Sequence, residues 1–221
     1  MSASGAVAAA LAVQRAMGLP HEGSLRRSYL ISHQVERNRS TGLGDVTALA
    51  AGGCERRLEA GAPYHGPLLH VGPGRAEGWS FGTPIVLAWR PDAGKHTSDY
   101  IDDPAWKESI SRADAKQMQT LSEGEWGIDR WTELLDSARC FAEESGLQAD
   151  SSRIDLLSEV DVAMQECDIG EEAVALLCML GESVAIVPSD AASEADWSGP
   201  LASELEKAGL QAIMTRVGET S

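Results

Sequence analysis

The pattern of apolar and polar positions divides the first part of the chain into short helices and strands. Alanine-rich helical spacing near the start ends at Gly18, and a second helical pattern begins at Ser24, which we expect to be its N-cap. The predicted elements are, in order, helices over 4–17 and 24–38, a short helix in VTALAAGG, strand-like pieces at 56–58 and 68–71, a loop in GPGRAEGWSFGTP and a buried strand in IVLAWRP.

The remainder of the chain predicts longer helices and a few strands. Helices are expected in WTELLDSARCFAEESGL, RIDLLSEVDVAMQECD, GEEAVALLCMLG and GPLASELEKAGL, and strands in ESVAIVPSD and QAIMTRV. In the first of these helices, Leu134, Ala138 and Phe141 share one face and Gly146 is the expected C-cap. Together the patterns predict an α+β chain with a boundary between its two parts near residues 75–83.

The charge of the chain argues against two classes of binding partner. The 221 residues include 34 acidic and 18 basic ones, for a formal net charge of -16. Nucleic acids and anionic membranes bind basic patches, so we expect neither as a partner. The acidic residues are spread along the chain, which is typical of the solvated surface of a halophilic protein.

No targeting segment or disulfide framework is predicted. The first apolar run lacks a basic n-region, and no stretch approaches the roughly 18 apolar residues of a membrane span. Cys54, Cys140 and Cys178 lie among apolar neighbours, which predicts buried, reduced thiols rather than a zinc site. We therefore expect a cytoplasmic protein.

The segment MSASGA is the first candidate site. Serine and glycine residues at the start of a helix offer free N–H groups, hydroxyls and the positive end of the helix dipole, all of which suit a phosphate group. The alternative is a frayed terminus in which Ser2 or Ser4 is an ordinary N-cap.

The segment SHQVERNRSTGLGD is the second candidate. His33 and Glu36 lie three residues apart on a helix, with Tyr29 one turn earlier on the same face, and a glycine turn leads to Asp45. One carboxylate could hold Mg²⁺ and the other could orient or deprotonate a hydroxyl group. The alternative is a solvated helix face followed by Asp45 as a plain N-cap.

Two further segments contain candidate residues. In GGCERRLEAGAP the adjacent Arg56 and Arg57 point to opposite faces of a strand, so one at most can bind a carboxylate, and a surface ion pair is the alternative. In CMLGESVAIVP the expected helix ends at Gly181, which either caps the helix or lets the chain pass close to a ligand.

Taken in order, these segments resemble the GHMP kinase superfamily and, within it, the archaeal pantoate kinases. MSASGAVAAALAV is similar to the end of the phosphate loop, G-x-G-M-S-x-x-G-A, and VERNRSTGLGDVTALAAGG is similar to the block H-x-x-E…TGLGD-V…GG. SARCFAEESGL resembles S-x-x-F-A-x-x-x-G-L, and MLGESVAIVP resembles M-L-G-N-T-V-F-A with departures at Glu182 and Ser183.

The resemblance implies a GHMP kinase-like fold of two domains. Residues 1–80 would be the C-terminal part of an N-terminal, S5-domain-2-like domain, and residues 81–221 a ferredoxin-like C-terminal domain. Because the motif begins inside the phosphate loop, the resemblance also implies that the family's first β-rich stretch is missing. A gene start assigned too late and a truncated gene both explain this, and the retained catalytic signature favours the first.

The resemblance assigns ATP and Mg²⁺ as cofactors and places them on three segments. Ser2 corresponds to a loop serine that contacts phosphate and Mg²⁺, and Ser4 and Gly5 lie in the same loop. Glu36 corresponds to the metal-coordinating glutamate, and His33 corresponds to a histidine near the nucleotide.

The acceptor side follows from the same resemblance. Asp45 corresponds to the aspartate that orients or deprotonates the acceptor hydroxyl, Arg57 to an arginine that contacts the pantoate carboxylate, and Thr97 to a threonine on the substrate side. The implied reaction is phosphorylation of pantoate to 4-phosphopantoate in coenzyme A biosynthesis. The alternatives are a kinase for shikimate or homoserine and a non-catalytic fragment, and the family also suggests a homodimer.

Overall fold

The computed structural model describes residues 2–39, 44–91, 102–178, 181–193 and 195–218. It divides into two compact units, one formed by the chain up to Trp79 and the other by Ser80–Gly218. Both units combine helices with strands, so the predicted α+β class is confirmed. No helix among the described residues is sufficiently long and apolar to cross a membrane.

The first unit consists of helices followed by two small antiparallel sheets. Its elements are α1 (Ser2–Ala16), α2 (His21–Arg39), α3 (Asp45–Ala51), β1 (Cys54–Glu59), β2 (Tyr64–His65), β3 (His70–Val71) and β4 (Arg75–Trp79). Strand β1 pairs with β4, and β2 pairs with β3. Helix α1 packs along α2, and α3 contacts both β1 and β4.

Helix α2 begins earlier than the sequence predicted. The N–H of Ser24 donates to the carbonyl of Pro20, so the helix starts at His21 and Ser24 lies inside its first turn. Ser24 is buried, and its carbonyl accepts a hydrogen bond from Nε2 of Gln14 on α1 at 3.1 Å. The prediction that Ser24 caps the helix was therefore wrong, because the helix begins at His21, three residues upstream.

Strand β4 lies within the segment that was predicted to be a loop. Its glycine content suggested a loop, but Gly78 is required by close packing: a Cβ atom there would lie 1.9 Å from the carbonyl oxygen of Gly52. Gly52 and Gly53 have φ angles of 72° and 65°, a left-handed turn that leads from α3 directly into β1. The glycines therefore allow β4 to pair with β1 under the end of α3.

The second unit is a four-stranded antiparallel sheet with helices. Its elements are β5 (Pro84–Trp89), α4 (Pro104–Leu121), α5 (Trp131–Glu144), α6 (Ser151–Glu166), β6 (Ala173–Leu177), β7 (Ser183–Pro188), α7 (Ser198–Lys207) and β8 (Gln211–Arg216). The strand order β6-β7-β5-β8 and the helices between the strands give the β-α-β-β-α-β pattern of a ferredoxin-like sheet. Side chains of α6, α7 and the central strands form the core.

Two elements of this unit differ from the sequence prediction. GEEAVALLCMLG was predicted to be a helix, but Ala173–Leu177 forms strand β6 because pairing with β7 outweighs the helix propensity of alanine and leucine. Gly181 consequently lies in a turn rather than at a helix end. Helix α4 was not predicted, although Asp103 caps it by accepting hydrogen bonds from the N–H groups of Ala105 and Trp106.

The buried face of α5 is rotated from the predicted one. Leu134, Ala138 and Phe141 are only half-buried, whereas Trp131, Leu135 and Ala142 are buried. The indole of Trp131 donates to the carbonyl of Pro188 at 2.8 Å, which fixes that side of the helix against the sheet. Gly146 follows the helix with a φ of 82°, in agreement with the predicted C-terminal glycine.

The cysteines are free thiols, but their burial differs. Cys54 and Cys178 are half-buried, and Cys140 is exposed, so the prediction that Cys140 is buried was wrong. Cys140 lies on the outer side of α5 because Leu135 and Ala142 turn toward the core. Burial raises the pKa of the Cys54 thiol to about 11.

Candidate functional site

The first turn of α1 lies against the other two helices of its unit. Ala3 is buried and packs with Tyr29 of α2 and Val46 of α3. The next two residues, Ser4 and Gly5, are exposed, and a Cβ atom placed on Gly5 would meet nothing within 4 Å. Ser2 is the first residue of the helix, and its side chain lies outside the described part of the structure. The start of α1 is therefore accessible and fixed beside α2 and α3.

One face of α2, the helix that packs with α1 and α3, contains buried polar side chains. Tyr29, His33 and Glu36 are exposed by only 6%, 9% and 3%, so the alternative of a solvated helix face is wrong for these positions. The hydroxyl of Tyr29 donates to the carbonyl of Leu49 on α3 at 3.3 Å, which ties this face to that helix. Burial, followed by the charge of Arg37, lowers the pKa of His33, so the neutral imidazole is favoured.

Glu36 is the described residue best suited to hold a cation on this face of α2. A carboxylate buried to this extent points in a fixed direction, and Mg²⁺ is commonly bound by one or two carboxylates together with phosphate oxygens. The described residues contain no group of three or more His, Cys, Asp or Glu side chains that could form a closed metal site. A single buried carboxylate is chemically compatible with a cation whose other ligands are phosphate oxygens and water.

Asp45 is the first residue of α3, and its side chain is exposed. Gly44 occupies the N-cap position, and its carbonyl accepts hydrogen bonds from the N–H groups of Thr47 and Ala48 at 2.9 and 3.0 Å. The alternative that Asp45 is a plain N-cap is therefore wrong. The carboxylate of Asp45 is free of that role and accessible to a ligand at the start of the helix.

The two adjacent arginines of β1 have different environments. Arg56 is buried, and its guanidinium binds Oε1 of Glu77 on β4 through Nε at 2.6 Å and Nη2 at 2.5 Å. Arg57 extends from the opposite face to Gly44, where a Cβ atom would lie 1.1 Å from its Nη1. Within the described residues, no ion pair engages Arg57. The strand geometry thus separates a structural arginine from one available for an anion, as the alternation predicted.

Glu55 is a site residue that the sequence analysis missed. It lies two positions before Arg57 on the same face of β1, and its carboxyl interacts electrostatically with both Arg57 and Asp45. Burial, and to a lesser extent Asp45, raises the pKa of Glu55, while Arg57 opposes the rise. The i, i+2 spacing of Glu55 and Arg57 in a predicted strand is the signal that could have identified it.

The structure thus gathers some predicted residues and leaves others apart. Arg57 reaches Gly44, the residue before Asp45, at the start of α3, and His33, Glu36 and the first turn of α1 lie on elements that share one small core. Thr97 lies outside the described residues, as do Gly42 and the other residues of the glycine turn at 40–43.

The second unit contains a separate cavity of about 430 Å³ beside strand β6. Residues of α5, α6 and β6 line it, including Arg139, Glu143 and Asp161. None of the predicted site residues lies on these walls. Among the described residues, those predicted to bind phosphate, Mg²⁺ or the acceptor belong to the first unit.

Comparison with known proteins finds a similarity in fold to a solved structure. No protein-family model matches the chain, and no curated protein does. A solved structure described as a phosphotransferase related to the CoA biosynthesis pathway matches with a TM-score of 0.65 and 24% sequence identity. The alignment covers 99% of this chain and 62% of that chain. At this identity the similarity shows a shared fold, and the chain spans less than two thirds of the neighbour's length.

Proposed function

We propose that the chain is the catalytic part of a GHMP-type small-molecule kinase that transfers the γ-phosphoryl group of ATP to the primary hydroxyl of pantoate. The observation that carries the proposal is Arg57, which is free of ion pairs within the described residues and reaches Gly44 beside the exposed Asp45. A basic group that can bind a carboxylate next to an acidic group that can orient a hydroxyl suits a hydroxy acid as acceptor.

Three further observations support the proposal. The motif order of the sequence resembles pantoate kinases, and the fold is shared with a phosphotransferase related to the CoA biosynthesis pathway. The accessible turn at the start of α1 suits a phosphate group, and α2, the helix packed along α1, carries the buried carboxylate of Glu36. A two-domain GHMP arrangement, a homodimer and a cytoplasmic location remain parts of the same proposal.

In this proposal the nucleotide binds across the starts of the first helices. Ser2, Ser4 and Gly5 would present N–H groups and hydroxyls to the phosphates, and Glu36 would hold Mg²⁺. When bound, Mg²⁺ supplies positive charge that stabilises the transferring phosphoryl group. His33 is expected to be neutral at pH 7 because its pKa is lowered, so it serves as a hydrogen-bonding group rather than a cation.

On the acceptor side, two residues act on different ends of pantoate. Arg57 binds the carboxylate and thereby selects an acid over a neutral alcohol. Asp45 accepts a hydrogen bond from the primary hydroxyl and receives its proton as the oxygen bonds to the γ-phosphorus, while the bond from that phosphorus to the bridging oxygen breaks and ADP leaves. Thr97 is proposed on the same side by the sequence resemblance alone.

The test is an ADP-release assay with a panel of acceptors. Pantoate, shikimate, homoserine and mevalonate are compared over a series of KCl concentrations, because the acidic composition suggests a salt requirement. Because the alignment covers 62% of the structural neighbour, the chain is assayed beside any longer version that its gene encodes. Turnover that is highest with pantoate supports the proposal. A preference for another acceptor, or no turnover with either version, contradicts it.

A further inference from the structure

The two faces of the β1–β4 pair differ in charge. On one face Arg56 lies opposite Glu77 and the two form an ion pair. On the other face Glu55 lies opposite Gly78, and Arg57 lies opposite Ala76. Strand β4 therefore contributes no charged side chain opposite Glu55, and Arg57 is its charged neighbour on β1.

Helix α3 covers this second face. Asp45 is the one charged residue in its sequence, DVTALAA, and the Gly52 carbonyl at its end lies against Gly78. Oε2 of Glu55 is fully buried and has no hydrogen-bond partner among the described residues. The charged groups that face Glu55 are thus Arg57, which favours its ionised form, and Asp45, which disfavours it.

A carboxylate ligand on Arg57 would change this balance. The ligand neutralises the cation that stabilises ionised Glu55, and it adds a negative charge near Asp45 and Glu55. Because Oε2 of Glu55 is buried without a hydrogen-bond partner among the described residues, both changes favour the protonated carboxyl over the ionised one. The raised pKa of Glu55 in the free protein agrees with this direction.

We propose that Glu55 is a positioning residue that binds one proton from solvent when an anionic acceptor docks on Arg57, and so links acceptor affinity to pH. This inference rests on the proposed function, because it takes Arg57 as the acceptor's carboxylate site. The proton enters the Glu55 carboxyl as the acceptor arrives and returns to solvent as it leaves. Proton uptake on binding requires that affinity increase as the pH falls.

The first test measures proton uptake directly by titration calorimetry. Pantoate is titrated into the full chain at one pH in two buffers that differ in ionisation enthalpy. We expect net proton uptake for the wild type and for Glu55→Asp, which keeps the acid, and none for Glu55→Gln. Glu77→Gln is the matched control on the opposite face of the strand pair and should take up protons as the wild type does.

The second test follows the dissociation constant of pantoate with pH. For the wild type we expect it to rise by up to about tenfold per pH unit above the titration of Glu55, the slope of one linked proton. For Glu55→Gln it should stay flat and be lower at neutral pH. Carboxyl ¹³C resonances give an independent reading in the unliganded wild type, where the titration of Glu55 should lie above its ordinary value of 4.5 and move higher in Arg57→Gln.

The outcomes separate the inference from the proposed function. If pantoate binds the wild type without proton uptake, or if Glu55→Gln keeps the uptake, Glu55 is not the linked group and the kinase proposal stands. A titration of Glu55 at or below 4.5 in the free protein overturns the inference even if Glu55→Gln does not fold. Absence of pantoate binding at every pH overturns both.

Discussion

The two units of the chain have interiors of opposite character. In the first unit the buried apolar residues are Ala3, Tyr29, Val46 and Leu69, and buried polar side chains outnumber them among the described residues; these are Gln14, Ser24, Ser28, Ser32, His33, Glu36, Thr47 and Arg56. In the second unit the core is a continuous apolar cluster between α6, α7 and the sheet. Arg153 is its one buried charged residue within the described ranges.

This difference suggests that the two units are stabilised in different ways. Burying a polar group costs free energy unless it finds a partner, whereas burying apolar surface is the main stabilising term in folding. We infer that the second unit is stabilised chiefly by apolar packing, while the first gives up part of that stabilisation to hold charged and polar groups in fixed positions. Mutations in the two units should accordingly affect different measurements.

The largest expected effect belongs to the first unit. Asp45→Asn keeps the shape of the side chain but removes its ability to accept a proton, so turnover should fall by about 10²- to 10⁴-fold. Nucleotide affinity and the unfolding curve should stay near those of the wild type because Asp45 is exposed. Turnover within a few fold of the wild type would contradict the role of Asp45 and weaken the contrast between the units.

The second effect belongs to the core of the second unit. Leu156 is fully buried on α6, and Leu156→Ala should lower the free energy of unfolding by about 2–5 kcal/mol in urea titrations. Val162→Ala on the same helix is the matched control, since Val162 is 58% exposed and its loss should cost less than about 0.5 kcal/mol. Equal costs would show that the apolar cluster does not carry the stability assigned to it.

A third prediction compares the adjacent arginines. Arg57→Ala should raise the KM for pantoate by about 10- to 100-fold, because it removes a charged hydrogen-bonding partner, with little change in the KM for ATP. Arg56→Ala should leave the pantoate KM unchanged and lower the melting temperature, since Arg56 is buried and binds Glu77. Steady-state kinetics with both substrates and thermal unfolding give the two readings.

Gly44→Ala provides a control that leaves both arginines in place. A Cβ atom on Gly44 would lie 1.1 Å from Nη1 of Arg57, so the added methyl group displaces the guanidinium from this position. Its effect on the pantoate KM should have the same direction as that of Arg57→Ala and be smaller. An increase in the ATP KM instead would place Arg57 on the nucleotide side.

The smallest effect concerns buried hydroxyls between α1 and α2. Oγ of Ser24 has no hydrogen-bond partner among the described residues, so Ser24→Ala should be neutral or stabilise by up to about 1 kcal/mol. The Ser28 hydroxyl accepts from Gln14 Nε2 at 2.9 Å and donates to the Ser24 carbonyl, so Ser28→Ala should destabilise by about 1–3 kcal/mol. Urea unfolding of both variants distinguishes them.

The sequence predicted the elements whose signals are local. The α6, β7, α7 and β8 segments carry clear periodicity, and the alternation of a strand was sufficient to separate Arg56 from Arg57. The β4 and β6 segments were predicted incorrectly because their strands depend on distant partners. Strand β4 can approach the Gly52 carbonyl because Gly78 has no side chain, and Ala173–Leu177 forms a strand by pairing with β7. Neither partner is visible in the local sequence.

Candidate site residues could be predicted from the sequence only where they lie in a motif that resembles one of a known family. Asp45 and Glu36 stand in recognisable motif positions, while Glu55 has an ordinary local sequence and becomes a site residue through the cover of α3 and the absence of a side chain on Gly78. The accessibility of Ser4 and the burial of His33 depend on how α1, α2 and α3 pack, which periodicity does not specify.

The paired arginines of β1 also determine which length changes the turn before the strand would tolerate. If one residue were deleted there, each side chain of β1 would move to the preceding position, so Arg57 would meet Glu77 and Arg56 would take the place of Glu55. If one residue were inserted, Glu55 would face Glu77 and two like charges would meet. Because Arg56 and Arg57 are adjacent, an arginine would still face Glu77 after a deletion in the turn. After an insertion, no arginine would face it.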